Sequence, residues 1–304
     1  MDLLYFRIAS VVVIAFIYML FDVFNKRNVP SSFAYATVAY GAVLTVLYLN
    51  IRTILLSSLV AIAVMGFGYF VYKIGQLGLG DAFELTALSL VLPLQPRGLI
   101  GNLPTLGLPF IFSLLVCTGI AAIILVPLYY IPKSRKASIR GRMNSSDAVK
   151  AITIGLVYAI FIFFLVLVIR ISAYGIALLI AVMAGSISIM LFEKRITYMM
   201  VDRVDYRGFE EGDIIAFNLM GKDEIEQARR KVHSFDRLIT RELIEEMKKK
   251  DMRKKYPVYK RAVPLAAPIF VGAVLALLFG NLIFLIAPAG SLLPPAAAYL
   301  LQAI

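Results

Sequence analysis

The chain contains no tryptophan, one cysteine and one histidine. A single cysteine, Cys117, set in an apolar run, excludes an internal disulfide and a cysteine-ligated zinc site. A single histidine, His233, leaves no basis for a histidine-rich metal centre. Both are taken as chemically passive, and no metal or cofactor is expected. Acids are scarce where the chain is apolar. Of the 19 Asp and Glu residues, fourteen fall between residues 193 and 261, while Asp2 is terminal and Asp147 lies in a basic loop. Only Asp22, Asp81 and Glu84 lie within or at the edge of apolar spans. The N-terminus also lacks the basic lead and small-residue cleavage site of a secretory signal, so its first apolar run is expected to stay as a helix.

What the chain has in abundance is hydrophobic sequence. With 304 residues, 61% hydrophobic composition and mean hydropathy +0.84, it belongs among polytopic membrane proteins. Eight apolar runs can be drawn: Leu3–Phe24, Phe33–Ile51, Thr53–Tyr72, Leu79–Leu92, Leu106–Ile131, Ala151–Ile171, Ser172–Phe192 and Ala262–Ala287. The stretch from Ala151 to Phe192 must be two helices, because a single one would overshoot a bilayer. Arg170 and Ser172-Ala173-Tyr174-Gly175 supply the reversal. The expected fold is therefore all-α and polytopic, with about eight transmembrane helices and a small cytoplasmic α(+β) insertion before the last. The chain divides into helices one to five carrying both aspartates (1–131), a basic cytoplasmic loop (132–150), helices six and seven (151–192), the insertion (193–261), and the last helix with an outer tail (262–304).

The net charge of +12 follows the same division. With the N-terminus outside, inner segments hold 27 of the 31 Lys and Arg residues, and the outer side keeps Arg7, Arg52, Arg97 and Arg170. That asymmetry is positive-inside sorting, not a nucleic-acid footprint, and the expected partner surface is a lipid bilayer, that of the plasma membrane. In the insertion, Glu210-Glu211-Gly212-Asp213 is expected to turn into a short strand at Ile214–Phe217. Asp223-Glu224-Ile225-Glu226 opens one helix, and Leu238, Ile239, Leu243, Ile244 and Met247 stripe a second.

The chemistry gathers at two places. Gly78-Leu79-Gly80-Asp81 opens the fourth run, and Asp22 closes the first. Alternating helices bring both to the cytoplasmic face. The two glycines remove side chains beside the acid and permit close approach. Two carboxylates at one membrane depth cannot both ionise readily, so they share a proton. The ionised partner then takes a proton from water attacking a peptide carbonyl, while the protonated partner assists the carbonyl oxygen and the leaving amine. Because the aspartates sit on different helices, a hinge or lateral gap between the first and fourth is expected.

These stretches resemble the GxGD intramembrane aspartyl proteases, and among them the prepilin and preflagellin peptidase branch. Asp22-Val23-Phe24-Asn25-Lys26-Arg27-Asn28-Val29-Pro30 is similar to that branch's first-helix pattern, and Gly78-Leu79-Gly80-Asp81 with Leu85, Leu88 and Pro93 to its second motif. In the presenilin and signal-peptide-peptidase branches the first aspartate follows a tyrosine, and Pro-Ala-Leu comes late. Here Phe21 precedes Asp22, and Pro264-Leu265 does not continue as that motif. The chain also carries Phe83 where family members often have lysine, and it lacks the cysteine-bearing insertion of bacterial enzymes. The archaeal form is the nearer likeness. The resemblance implies an aspartic endopeptidase that removes class III signal peptides from archaellin and pilin precursors, with Asp22 and Asp81 catalytic.

Several residues stay open between roles. Glu84 could raise the local negative potential, bind a basic leader, or pair with Lys73. Tyr18 is either core or a hydrogen-bond partner of the dyad, and Lys26 and Arg27 are topology anchors or leader contacts. Pro30 completes the first motif, and Gly78, Leu79 and Gly80 serve backbone and packing. A presenilin-like protease, a proton- or ion-coupled transporter and a non-catalytic pilin-binding factor are the competing functions.

Overall fold

A computed structural model describes residues 3–25, 29–47, 50–74, 77–100, 107–136, 145–169, 171–232, 235–252, 254–259 and 265–286. In chain order the helices are α1 (Leu3–Phe24), α2 (Ser31–Val46), α3 (Ile51–Lys73), α4 (Leu79–Val91), α5 (Phe110–Lys136), α6 (Ser145–Ile169), α7 (Ala173–Met200), α8 (Lys222–Lys231), α9 (Arg241–Lys249) and α10 (Ala266–Phe279). Five of them, α1, α3, α5, α6 and α7, are long and apolar enough to cross a membrane. The chain is thus an all-α membrane protein with little sheet. The other three apolar runs form α2, α4 and α10, of 16, 13 and 14 residues. At 1.5 Å per residue these reach about 20–24 Å, short of a hydrocarbon core of ~30 Å.

Helix α4 is short because it is central. It packs against α1, α2, α3 and α5, and every residue from Glu84 through Pro93 is buried. Small residues set the approach. A Cβ at Gly68 of α3 would stand 2.7 Å from the Ala82 Cβ, and one at Gly41 of α2 would stand 2.8 Å from the Leu90 Cβ. Such contacts let helix backbones come together where dispersion, not water exclusion, must hold them. Helix α10 lies against α1 and α5, α7 against α5, and α6 against α7. Leu156, Ile160, Phe163 and Leu167 of α6 are exposed, as a lipid-facing helix requires. At the α6–α7 reversal, the Ser172 hydroxyl accepts the Gly175 N–H and donates to the Leu285 carbonyl, both at 3.1 Å. Arg170 lies outside the described residues.

Of the hinge or lateral gap expected between the first and fourth helices, the structure has no gap along their shared core. Helices α1 and α4 are in direct contact, and Ile14, Ala15, Tyr18, Leu85, Leu88 and Val91 share one core. Arg7 also departs from expectation. Counted as an outer-face charge, it is fully buried, and its guanidinium donates to the Val91 carbonyl (2.9 Å) and to the Leu44 carbonyl. The last carbonyls of a helix have no intrahelical donor. Arg7 therefore closes the C-terminal ends of α2 and α4 together.

The polar segment begins later than expected, because α7 continues to Met200 and carries Glu193, Lys194 and Arg195 on its own turns. It is closed by a two-stranded antiparallel ribbon, β1 (Asp202–Val204) with β2 (Tyr256–Val258), in register Asp202↔Val258. Its core contains Ile215, Val232, Phe235, Ile239, Leu243, Met247 and Tyr256. The expected strand at Ile214–Phe217 reduces to single bridges, Ile214 to Leu238 and Ile215 to Val258, before a 3-10 turn takes over at Phe217. The second helix starts at Arg241, since the Thr240 hydroxyl caps it by accepting the Leu243 N–H. Leu238 and Ile239 enter as extended chain instead.

Candidate functional site

Asp22 sits in the last turn of α1, where Tyr18 and Phe21 clasp Phe33 of α2 with ring centroids 5.2 Å apart in each pair. It is only 9% exposed. Its Oδ2 accepts the backbone N–H of Ala266, the first residue of α10, at 3.1 Å. Amides at a helix N-terminus carry partial positive charge, so this end of α10 attracts a carboxylate.

Asp81 is the third residue of α4 and half-buried. Its Oδ2 accepts the Gly78 N–H at 3.1 Å, satisfying a donor that the helix start leaves open. Glycine at 78 leaves room for the carboxylate to sit this way. A Cβ there would lie 2.8 Å from the same oxygen. Gly80 faces the other motif, with its missing Cβ 3.2 Å from Val29 Cγ2. The segment that follows Asp22 thus lies against the turn that presents Asp81. Pro30 immediately precedes α2, and Leu79 is the first residue of α4. Lys26 and Arg27 lie outside the described residues, as does His233.

Glu84 follows Asp81 by three residues and so lies on the same helix face. It is fully buried, and neither carboxylate oxygen has a hydrogen-bond partner among the described residues. Of the three alternatives for Glu84, the pairing with Lys73 is not formed: the Lys73 ammonium lies over the Tyr69 ring, 5.5 Å from its centroid. Tyr18 is core. Its hydroxyl lies 2.9 Å from Thr37 Oγ1, which itself donates to the Ala34 carbonyl, so Tyr18 is the donor and its proton is committed to α2. Phe83, at the family's lysine position, meets Tyr35 of α2 edge-on at 5.2 Å.

One participant had no sequence signal: the Ala266 amide, which any residue but proline would supply. Cys117 is buried in the core. Among the described residues no cluster of His, Cys, Asp or Glu could hold a metal ion. A cavity of about 450 Å³ in the polar segment is lined by Lys231, Lys250, Lys254 and Tyr256 and includes none of the three acids. Neither a protein-family model, nor a curated protein, nor a solved structure matches this chain.

Proposed function

We propose that the chain is a membrane aspartic endopeptidase, similar to archaeal preflagellin and prepilin peptidases, acting on archaellin or pilin precursors at the cytoplasmic face of the plasma membrane. The observation that carries this reading is the convergence of Asp22 and Asp81. They come from antiparallel helices, at the same end of the bundle, with Val29 of one motif against Gly80 of the other. In the proposed reaction one aspartate removes a proton from water as its oxygen bonds to the peptide carbonyl carbon. The other donates its proton toward the carbonyl oxygen. Collapse of the tetrahedral intermediate breaks the C–N bond, and the amine leaves with a proton returned from the pair. Helices α2, α4 and α10 complete an eight-helix membrane bundle in this reading, with the N-terminus outside, as the 27-to-4 distribution of basic residues supports.

The test is cleavage of archaellin and pilin precursors by the full chain in liposomes. Asp22→Asn and Asp81→Asn should each abolish product while leaving thermal unfolding near wild type. Undiminished processing by either variant, or ion flux without any peptide product, would overturn the reading.

A further inference from the structure

Charge in the polar segment is unevenly divided. Residues 248–261 hold eight Lys and Arg against Asp251 alone, a net +7, whereas residues 193–247 hold ten against thirteen acids, a net −3. The structure folds part of the basic run around a concavity. The cavity of about 450 Å³ lies where the end of α8 meets the turn from α9 into β2, and Lys231, Lys250 and Lys254 stand around it. The Lys250 ammonium donates to the Lys231 carbonyl and, at 2.9 Å, to Glu246, while that of Lys254 is 3.0 Å from Glu224. Both ion pairs are partly solvated, and pairs of that kind are worth little, so neither ties its ammonium firmly. The Lys231 ammonium has no partner among the described residues. The acid on the wall, Asp251, accepts from the Tyr206 hydroxyl at 3.3 Å. The site is more than a ring of surface lysines. Tyr256 lines it while only 1% exposed, and its hydroxyl has no hydrogen-bond partner among the described residues. Enclosed hydroxyls nearly always find one, and an oxygen-bearing anion in the cavity would supply it.

We propose that this cavity is a binding site for a phosphate ester, carried either by a lipid headgroup or by a small soluble molecule. Phosphate oxygens accept charge-assisted hydrogen bonds from ammonium groups, and lysine meets phosphate as a point charge. The phenol of Tyr256 adds one neutral donor from the floor. The volume falls within the range of small-ligand pockets. Tyr256 pairs with Val204, four residues past the end of α7, so headgroups of the adjoining leaflet are one source of the group. None of Asp22, Asp81 and Glu84 belongs to the cavity, and the site stands or falls independently of the peptidase reading.

Acetylation of amines on the full chain in nanodiscs, read lysine by lysine by mass spectrometry, tests the site. One arm compares neutral phosphatidylcholine discs with discs that also contain phosphatidylglycerol. The other adds glycerol phosphate to the neutral discs. At about ten times the half-saturating concentration, labelling of Lys231, Lys250 and Lys254 should slow about tenfold, because only the empty fraction reacts. Labelling of Lys248, Lys249 and Lys255, exposed on the same basic run, should keep its rate. Selective protection in either arm supports the site, and the arm in which it occurs names the source of the phosphate. Equal protection of all six lysines, the mark of a merely charged surface, would overturn the proposal, as would no protection in either arm. Two variants then probe the wall. Tyr256→Phe keeps the ring and removes the hydroxyl, so the half-saturating concentration should rise about tenfold, the size of one hydrogen bond to a charged group. Gln227→Glu adds a negative charge at an exposed lining position and should weaken protection without touching a lysine. Wild-type affinity in both variants would also overturn it.

Discussion

The Asp22 carboxylate holds the backbone N–H of Ala266 at 3.1 Å, a bond between residues 244 positions apart. It joins the end of the first helix to the start of the last, so Asp22 has a structural duty beside any chemical one. The two duties separate by substitution. Asp22→Asn keeps an oxygen that can accept the Ala266 amide, whereas Asp22→Ala keeps none. Both variants should lose cleavage, but only Asp22→Ala should lose stability, by about 1 kcal/mol as for other lost helix caps. Thermal unfolding in detergent, beside the cleavage assay, reads both.

Gly78 should be the more demanding glycine of the motif. Gly78→Ala sets a methyl 2.8 Å from Asp81 Oδ2, so the carboxylate that holds the Gly78 amide must shift. Cleavage should fall about tenfold or more, since misplacement of about 1 Å costs on the order of a hundredfold in well-oriented sites. Gly66→Ala is the control. Nothing lies within 4 Å of the added methyl there, and alanine favours an exposed helix interior over glycine by up to about 1 kcal/mol. That variant should process precursors like wild type and unfold no earlier.

Arg7 should resist even its conservative replacement. Its guanidinium reaches the carbonyls of Val91 and Leu44 from one planar fork, a geometry that a lysine ammonium does not reproduce. Arg7→Lys should lower stability by about 2 kcal/mol, the size of one hydrogen bond to a charged group. Cleavage by the molecules that remain folded should be unchanged, because fifteen residues of α1, about 22 Å, separate Arg7 from Asp22. Chemical denaturation in mixed micelles, scored beside specific activity, checks it.

The polar segment should lose stability in alkali through Tyr256. Burial, with the Glu224 carboxylate adding to it, raises the phenol above the ordinary tyrosine value of 10.0. The folded chain therefore keeps this proton where the unfolded chain has released it. Stabilisation from the neutral phenol is complete below pH 10.0 and declines as pH climbs through the raised folded value. Tyr256→Phe should flatten that decline. The absence of tryptophan supplies a clean probe: Phe217→Trp, in the same core, reports unfolding of this segment by fluorescence in both backgrounds.

Much of the architecture was legible before any coordinates, because insertion of an apolar helix depends on composition summed over about 20 neighbouring residues. Each of the eight apolar runs forms a helix, and Leu3–Phe24 does so with the expected bounds. The gathering of Asp22 and Asp81 at one end was legible too, since antiparallel helices place the end of one beside the start of another. The rest depended on which faces meet. Nothing local distinguishes Arg7 as an interior residue from Arg7 as an outer charge, or marks Ala266 as the donor to Asp22. The position of Glu84 beside Asp81 was evident from helical spacing, yet its enclosure required α1, α2 and α3 to close around α4. In the polar segment, the apolar residues of one expected helix stripe were divided between extended chain and α9, because the Thr240 cap and the bridge from Leu238 to Ile214 settle where the helix begins. Hydropathy and charge, being local sums, determined which segments are helical and apolar. Three-dimensional packing alone decided which buried polar groups found partners and which, like Glu84, have none among the described residues.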